Sequence, residues 1–273
     1  MPPITSLERL STCSICLSKS PLDEALGVIA AAGYKKVDLL GRMPHFSIDP
    51  AELSVDQIES AARRHGVEIA NIGAYFGQAL SKESSPQEID AEIEAALRGI
   101  EIARRLGSRS IRVQPGAKRD HETAYALVPF FKEVAKAAEP HGINIGIETH
   151  GGITSDAPAM ADLAQKVGFE NFGVIYDPCN LVGGGVDYKA AYEAFRQCVV
   201  HVHLKDGRHV DGTWQRVMFG DGEIDMDWIL RRLEADGYPN DIALEYEVNI
   251  IEPPETGLVT WIERYERLVS SIQ

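Results

Sequence analysis

The 273-residue chain is short of thiols, of positive charge and of long apolar runs, and each shortage narrows what it can be. The four cysteines include a single Cys-x-x-Cys pair, Cys13 and Cys16, and two scattered ones. A structural zinc site needs a second ligand pair, and a redox motif needs its cysteines in a turn ahead of a helix. Here the pair falls inside the first apparent strand, so reduced, packed thiols are expected. No apolar stretch approaches the roughly 20 residues that cross a bilayer. The start of the chain, residues 1–9, lacks the basic-then-apolar pattern of a secretory leader, so the expected location is cytoplasmic, with no membrane partner. Lys and Arg number 27 against 41 Asp and Glu, for a net charge of −14. Such a surface repels a phosphate backbone, so no nucleic-acid partner is expected. No linker or shift in composition divides the chain, which points to a single domain over 1–273.

What is present is a regular alternation. Apolar runs that read as strands cover 10–17, 36–40, 67–73, 110–114, 143–149, 172–177, 199–206 and 242–247. Between and after them lie amphipathic stretches that read as helices over 21–32, 51–65, 86–106, 122–141, 157–167, 187–196, 226–236 and 255–270. The strand runs show little polar alternation, as parallel strands buried on both faces do. Eight strand-helix units without a Gly-rich dinucleotide turn after the first strand predict an α/β fold, a (β/α)8 TIM barrel. Residues 206–223 read as a long loop, and Gly183, Gly184 and Gly185 as a mobile one.

The stretch 199–206, Val-Val-His-Val-His-Leu-Lys-Asp, carries the chemistry. With a side-chain period of two, His201 and His203 face the same side of a buried strand and need partners there. Three other strands end in a carboxylate: Glu148, Asp177 and Glu245. A TIM barrel builds its active site at the C-terminal ends of its strands, so these residues of strands five to eight can converge with His203. One strand-end acid is more often a helix cap or the partner of a lysine; four such residues on consecutive strands point to a metal. Three carboxylates and an imidazole make a hard donor set, suited to Mn²⁺ or Mg²⁺ and tolerant of Co²⁺. His150, two positions after Glu148, is expected near the mouth as a contact for a substrate hydroxyl. His201, one pleat deeper than His203, is expected to be hydrogen-bonded in the core. Lys205 either touches substrate or pairs with Asp206. The loops around His45, Tyr75 to Phe76 and Trp214 are expected to select the substrate.

The segments Ile147-Glu148-Thr149-His150-Gly151-Gly152, Tyr176-Asp177-Pro178-Cys179-Asn180-Leu181, His201-Val202-His203-Leu204-Lys205-Asp206, Phe219-Gly220-Asp221-Gly222-Glu223-Ile224-Asp225 and Ala243-Leu244-Glu245-Tyr246-Glu247 resemble successive motifs of the xylose isomerase-like TIM-barrel superfamily. The nearest branch is the sugar phosphate isomerase/epimerases, which include tagatose 3-epimerase-like, hydroxypyruvate isomerase-like and inosose dehydratase-like enzymes. The resemblance implies one divalent metal held by Glu148, Asp177, His203 and Glu245, with Mn²⁺ preferred over Mg²⁺, Co²⁺ or Zn²⁺. It implies that Glu148 and Glu245 also act as acid and base on opposite faces of a small polyhydroxy carbonyl substrate, through an enediolate. Arg216 matches the arginine placed against the substrate, and His45, His150, Asn180 and Lys205 complete the expected substrate contacts. The implied activity is a metal-dependent isomerase or epimerase. A dehydratase of the inosose or 3-dehydroshikimate type shares the first step, and a sugar-binding barrel without catalysis is a third reading. Superfamily apurinic endonucleases carry a histidine where this chain has Asn180, and further zinc ligands near Trp214 and Arg216, which are not zinc ligands; a DNA-repair role is therefore not expected. A homo-oligomer is compatible with the sequence, which does not decide it.

Overall fold

The computed structural model describes residues 2–272. Eight parallel strands close into a barrel: β1 (Leu10–Cys13), β2 (Lys36–Leu40), β3 (Glu68–Phe76), β4 (Ser110–Val113), β5 (Asn144–Glu148), β6 (Phe172–Tyr176), β7 (Val199–Leu204) and β10 (Ile242–Leu244). The last of them pairs with both β7 and β1, which leaves no open edge. The expected (β/α)8 barrel is therefore present. Helices α1 (Leu22–Ala31), α2 (Val55–His65), α3 (Pro86–Leu106), α5 (Val128–Ala138), α6 (Ala157–Val167), α8 (Tyr188–Phe195), α9 (Met226–Ala235) and α10 (Pro254–Ile272) cover the outside, with short α4 (His121–Ala126) and α7 (Pro178–Gly183) between them. Among the described residues no helix is long and apolar enough to cross a membrane.

Local sequence explains the boundaries. Ser54 and Ser85 each accept from the backbone three residues on while Gln57 and Glu88 reach back, so α2 and α3 begin in capping boxes. Both end on a left-handed glycine, Gly66 and Gly107. Helix faces such as Leu26 and Ile29 of α1, or Trp261 and Tyr265 of α10, are buried, the last two against Phe219. The barrel interior beneath the mouth is polar instead, holding Ser11, Asp38, Asn71, Ser110 and His201.

Four expectations are corrected. The helix read over 122–141 is two, α4 and α5, because Pro129 sits in the first turn of α5, lacks the N–H that a continuous helix needs, and Leu127 turns at φ −86°, ψ 3°. The long loop after Asp206 contains a hairpin of β8 (Asp206–Val210) and β9 (Thr213–Val217). Its turn is Asp211-Gly212, both at positive φ, the two-residue signal that matches strand twist. The triple glycine is a helix end: Gly183 closes α7 and Gly184 N–H donates to Asn180 and Leu181 carbonyls. A Cβ on Gly183 or Gly207 would lie 2.8 or 2.4 Å from the Trp214 ring, so these two glycines let the hairpin seat its indole. The first strand stops at Cys13, and Cys16 lies in a 3-10 turn over Ser14–Leu17. Both thiols are free and buried, as expected, and burial pushes the Cys16 thiol up to about 12.

Candidate metal centre

Glu148 is the last residue of β5, Asp177 the first after β6, His203 the fifth of β7 and Glu245 the first after β10. These strands are hydrogen-bonded neighbours in that order. Four buried side chains consequently meet, each offering one ligand atom, with all four atoms within 4.8 Å of one another. His203 Nδ1 is 3.0 Å from Glu148 Oε1 and 3.8 Å from Glu245 Oε2. Asp177 divides its carboxylate between two tasks. Oδ1 accepts the Asn180 N–H at 2.9 Å and caps α7. Oδ2 is buried without a hydrogen-bond partner; Lys205 Nζ stands 3.0 Å away, an ion-pair distance lacking hydrogen-bond direction.

Three buried carboxylates repel one another, and cations must compensate them. Arg112, from β4, donates from Nη1 to Glu148 Oε2 at 2.6 Å and lies over the Tyr75 ring. Burial alone would raise the Glu148 carboxyl; Arg112, with His150 and His203, overrides it and holds it well below the usual range. Lys205 donates to Glu245 and to Glu247, the latter at 2.7 Å. Burial likewise opposes ionisation of Glu245, and Lys205 with His203 lowers it nonetheless. Asp177 goes the other way, pushed up to about 6 by burial, against Lys205 and with the repulsion of Glu245 and Glu148. The donor set, three carboxylate oxygens and one imidazole nitrogen with an orphaned oxygen among them, fits a divalent cation. Beside it opens a cavity of about 160 Å³, lined among others by Leu40, Tyr75, Arg112, Arg119, His150 and Lys205.

A family profile described as "Xylose isomerase-like TIM barrel" matches residues 26–267. The chain belongs to the xylose isomerase-like TIM-barrel family. Among similar chains, the rhizopine catabolism protein MocC of Rhizobium meliloti is 24% identical over 258 residues, covering 84% of this chain and 75% of its own. The inosose isomerase of Bacillus velezensis is 22% identical over 242 residues, covering 84% of each. Solved structures share the fold: a D-tagatose 3-epimerase-like protein at TM-score 0.76 and 18% identity, covering 96% of this chain and 98% of that one. The IolI protein with a bound zinc atom follows at 0.75 and 18%, over 97% and 99%. The "probable 3-DHS dehydratase AsbF" of Bacillus anthracis stands at 0.70 and 16%, over 92% and 97%.

The remaining predicted residues of this xylose isomerase-like chain distribute unevenly. His150 is half-exposed at the mouth, its Nδ1 3.8 Å from Glu148 Oε2 and 3.3 Å from Asn180 Nδ2, so these two stand together beside the cavity. Arg216, on β9, reaches the rim by pairing with Glu247 at 3.2 Å. His201 is buried and bonded to Asp38, as a core histidine should be. Lys205 does not pair with Asp206, whose carboxylate instead accepts the N–H groups of Gly207, Gly220, Gly222 and Ile224. Period two sends residues 203 and 205 to the same side, which carries the lysine into the carboxylates. His45 is a correction: it is fully buried outside the cavity lining, with Nδ1 2.9 Å from Ser14 Oγ and Nε2 3.1 Å from the Ser20 carbonyl. Its polar atoms are consumed in bracing the loop after β2 against the turn after β1. Two residues of the site escaped the sequence reading, Asp38 and Arg112. Both carried a usable signal, a charged side chain inside a strand whose neighbours are apolar, and such a group must find a partner inside the barrel.

Proposed function

We propose that this chain is a divalent-metal-dependent isomerase or epimerase of a small polyhydroxy carbonyl compound. The observation that carries the reading is the convergence of Glu148, Asp177, His203 and Glu245, from four neighbouring strands, on one buried spot beside a small cavity. These four residues would hold the cation, with Mn²⁺ favoured by the oxygen-rich set. When bound, it would supply Lewis-acid polarisation of a carbonyl and its neighbouring hydroxyl. The rest falls to the chain. Glu148, kept ionised by Arg112, is the base that takes the proton from the carbon next to the carbonyl. Glu245 approaches from the other end of the strand arc, with β6 and β7 between, and returns a proton to the opposite face. His150, Asn180 and Arg216 stand around the mouth where substrate hydroxyls would be held. The named relatives and neighbours, an inosose isomerase and a tagatose 3-epimerase-like protein, support this class of chemistry.

A dehydratase is the second reading, favoured by His150. Its imidazole, half-exposed and 3.8 Å from Glu148, is an additional group able to protonate a departing hydroxyl after the same first step. One experiment separates the two. Mn²⁺-loaded protein is incubated in D₂O with ketoses, inososes and 3-dehydroshikimate and followed by proton NMR. Deuterium next to the carbonyl together with a new diastereomer or aldose is expected. Loss of a hydroxyl with an alkene or diketone signal assigns the dehydratase, and no exchange in any compound, with metal bound, overturns both in favour of a binding barrel.

A further inference from the structure

His203 has two ring nitrogens, and the proposed site uses only Nδ1. Nε2 points down the barrel, 3.3 Å from Asp38 Oδ2, and the same oxygen lies 2.5 Å from His201 Nε2. We propose that Asp38 is a positioning residue, which fixes the His203 ring so that Nδ1 faces Glu148, Asp177 and Glu245 and thereby sets how tightly the site holds a divalent cation. An ionised carboxylate only accepts, so the nitrogen beside it must carry the proton, and in the neutral ring the lone pair is then on the other nitrogen. Such an outer partner fixes both tautomer and ring orientation. The alternative neighbour of Nε2, Cys13 Sγ at 4.0 Å, is too distant and too weak an acceptor to do this.

Asp38 is itself immobilised from several strands. Ser11 Oγ donates to its Oδ1 at 2.6 Å, and Asn71 Nδ2 to its Oδ2 at 3.2 Å. Ser110 Oγ donates to Asn71 Oδ1 at 2.6 Å, and the acceptor-only carboxylate of Asp38 fixes which end of that amide faces it. A register irregularity between Val37 and Asp38 places Asp38 opposite Asn71 and makes this bond available. One buried carboxylate is thus tied to β1, β3 and β7 at once, more restraint than packing alone asks of a β2 side chain.

The inference rests on the reading that the site holds a divalent cation. Calorimetric titration of Mn²⁺ into metal-stripped wild type, Asp38→Asn and Asp38→Ala tests it, with Tyr125→Phe, whose hydroxyl bonds Asp162 between two outer helices, as a control and with circular dichroism to verify folding. The two Asp38 variants are expected to bind about 10- to 100-fold more weakly, as loss of an outer partner does, with Tyr125→Phe close to wild type. In parallel, ¹⁵N-histidine NMR of Zn²⁺-loaded wild type is expected to show His203 protonated at Nε2, with a slowly exchanging ring N–H. Metal on Nε2, or Asp38 variants that bind Mn²⁺ as wild type does, overturns the inference while leaving the metal site standing. A wild type that binds no Mn²⁺ overturns the proposed function and the inference together. If both variants fail to fold, the wild-type spectrum alone decides.

Discussion

Lys205 Nζ lies 3.0 Å from Asp177 Oδ2 while donating to Glu245 and Glu247, so one fully buried ammonium serves three carboxylates. Burial would depress its proton affinity, and Asp177, Glu245 and Glu247 overcome that and raise it well above the ordinary lysine value. Replacing it with Met leaves these carboxylates facing one another. In chelator, Lys205→Met is expected to melt below wild type, and added Mn²⁺ to raise the variant's Tm more than the wild type's, since an external cation takes over the compensation. Equal Mn²⁺ shifts in the two proteins would show that Lys205 does not share the carboxylates' burden.

Arg112 and Glu148 form a buried pair, with 13% and 6% of their side chains exposed. Removing the guanidinium leaves a buried charge unmatched. Arg112→Leu is expected to lose about 3–5 kcal/mol in urea unfolding, and Arg112→Leu combined with Glu148→Gln to recover part of it. Simple additivity of the two losses would mean the pair is not coupled.

Glu245→Gln removes an acid/base group and a candidate ligand without changing size. Turnover on whichever substrate the D₂O panel identifies is expected to fall by at least ~10³-fold. Wild-type rates in that variant would sink the assignment of Glu245.

His45 gives a pH signature distant from the chemistry. Burial lowers its pKa below the usual 6.5, despite carbonyls that favour the protonated ring. The unfolded chain therefore binds a proton that the folded one refuses. The stability associated with neutral His45 is complete above about 6.5 and is lost as pH falls from there through the lower folded value. Urea midpoints measured between pH 8 and pH 5 should drop less for His45→Asn than for wild type; parallel curves would assign the acid sensitivity elsewhere.

How far the sequence could be read follows from the range of the physics involved. Strand runs without alternation and helices with caps are local patterns, and they predict the barrel; the hairpin turn at Asp211-Gly212 is equally local but lies in a segment, 206–223, that reads as a long loop. Glu148, Asp177, His203 and Glu245 were legible because period two and the barrel's closed order place strand ends together without any knowledge of side-chain packing. Partners were not legible. The sequence leaves Lys205 between substrate and its neighbour Asp206, yet Asp206 is claimed by four backbone N–H groups and the lysine turns inward to the carboxylates. His45 looked like a loop residue free to meet a ligand, and its environment comes from Ser14 and Ser20, more than twenty positions away.

By itself, then, the sequence determined the periodicities: which eight segments carry the barrel strands, and which carboxylates stand at the strand ends. Only the tertiary structure decided pairing, that Arg112 serves Glu148, Lys205 serves Asp177 and Glu245, and Asp38 serves His203. Side-chain period is a property of a few consecutive residues. Charge compensation in a buried site depends on which strands the closed barrel makes neighbours and on register between them, to a single residue.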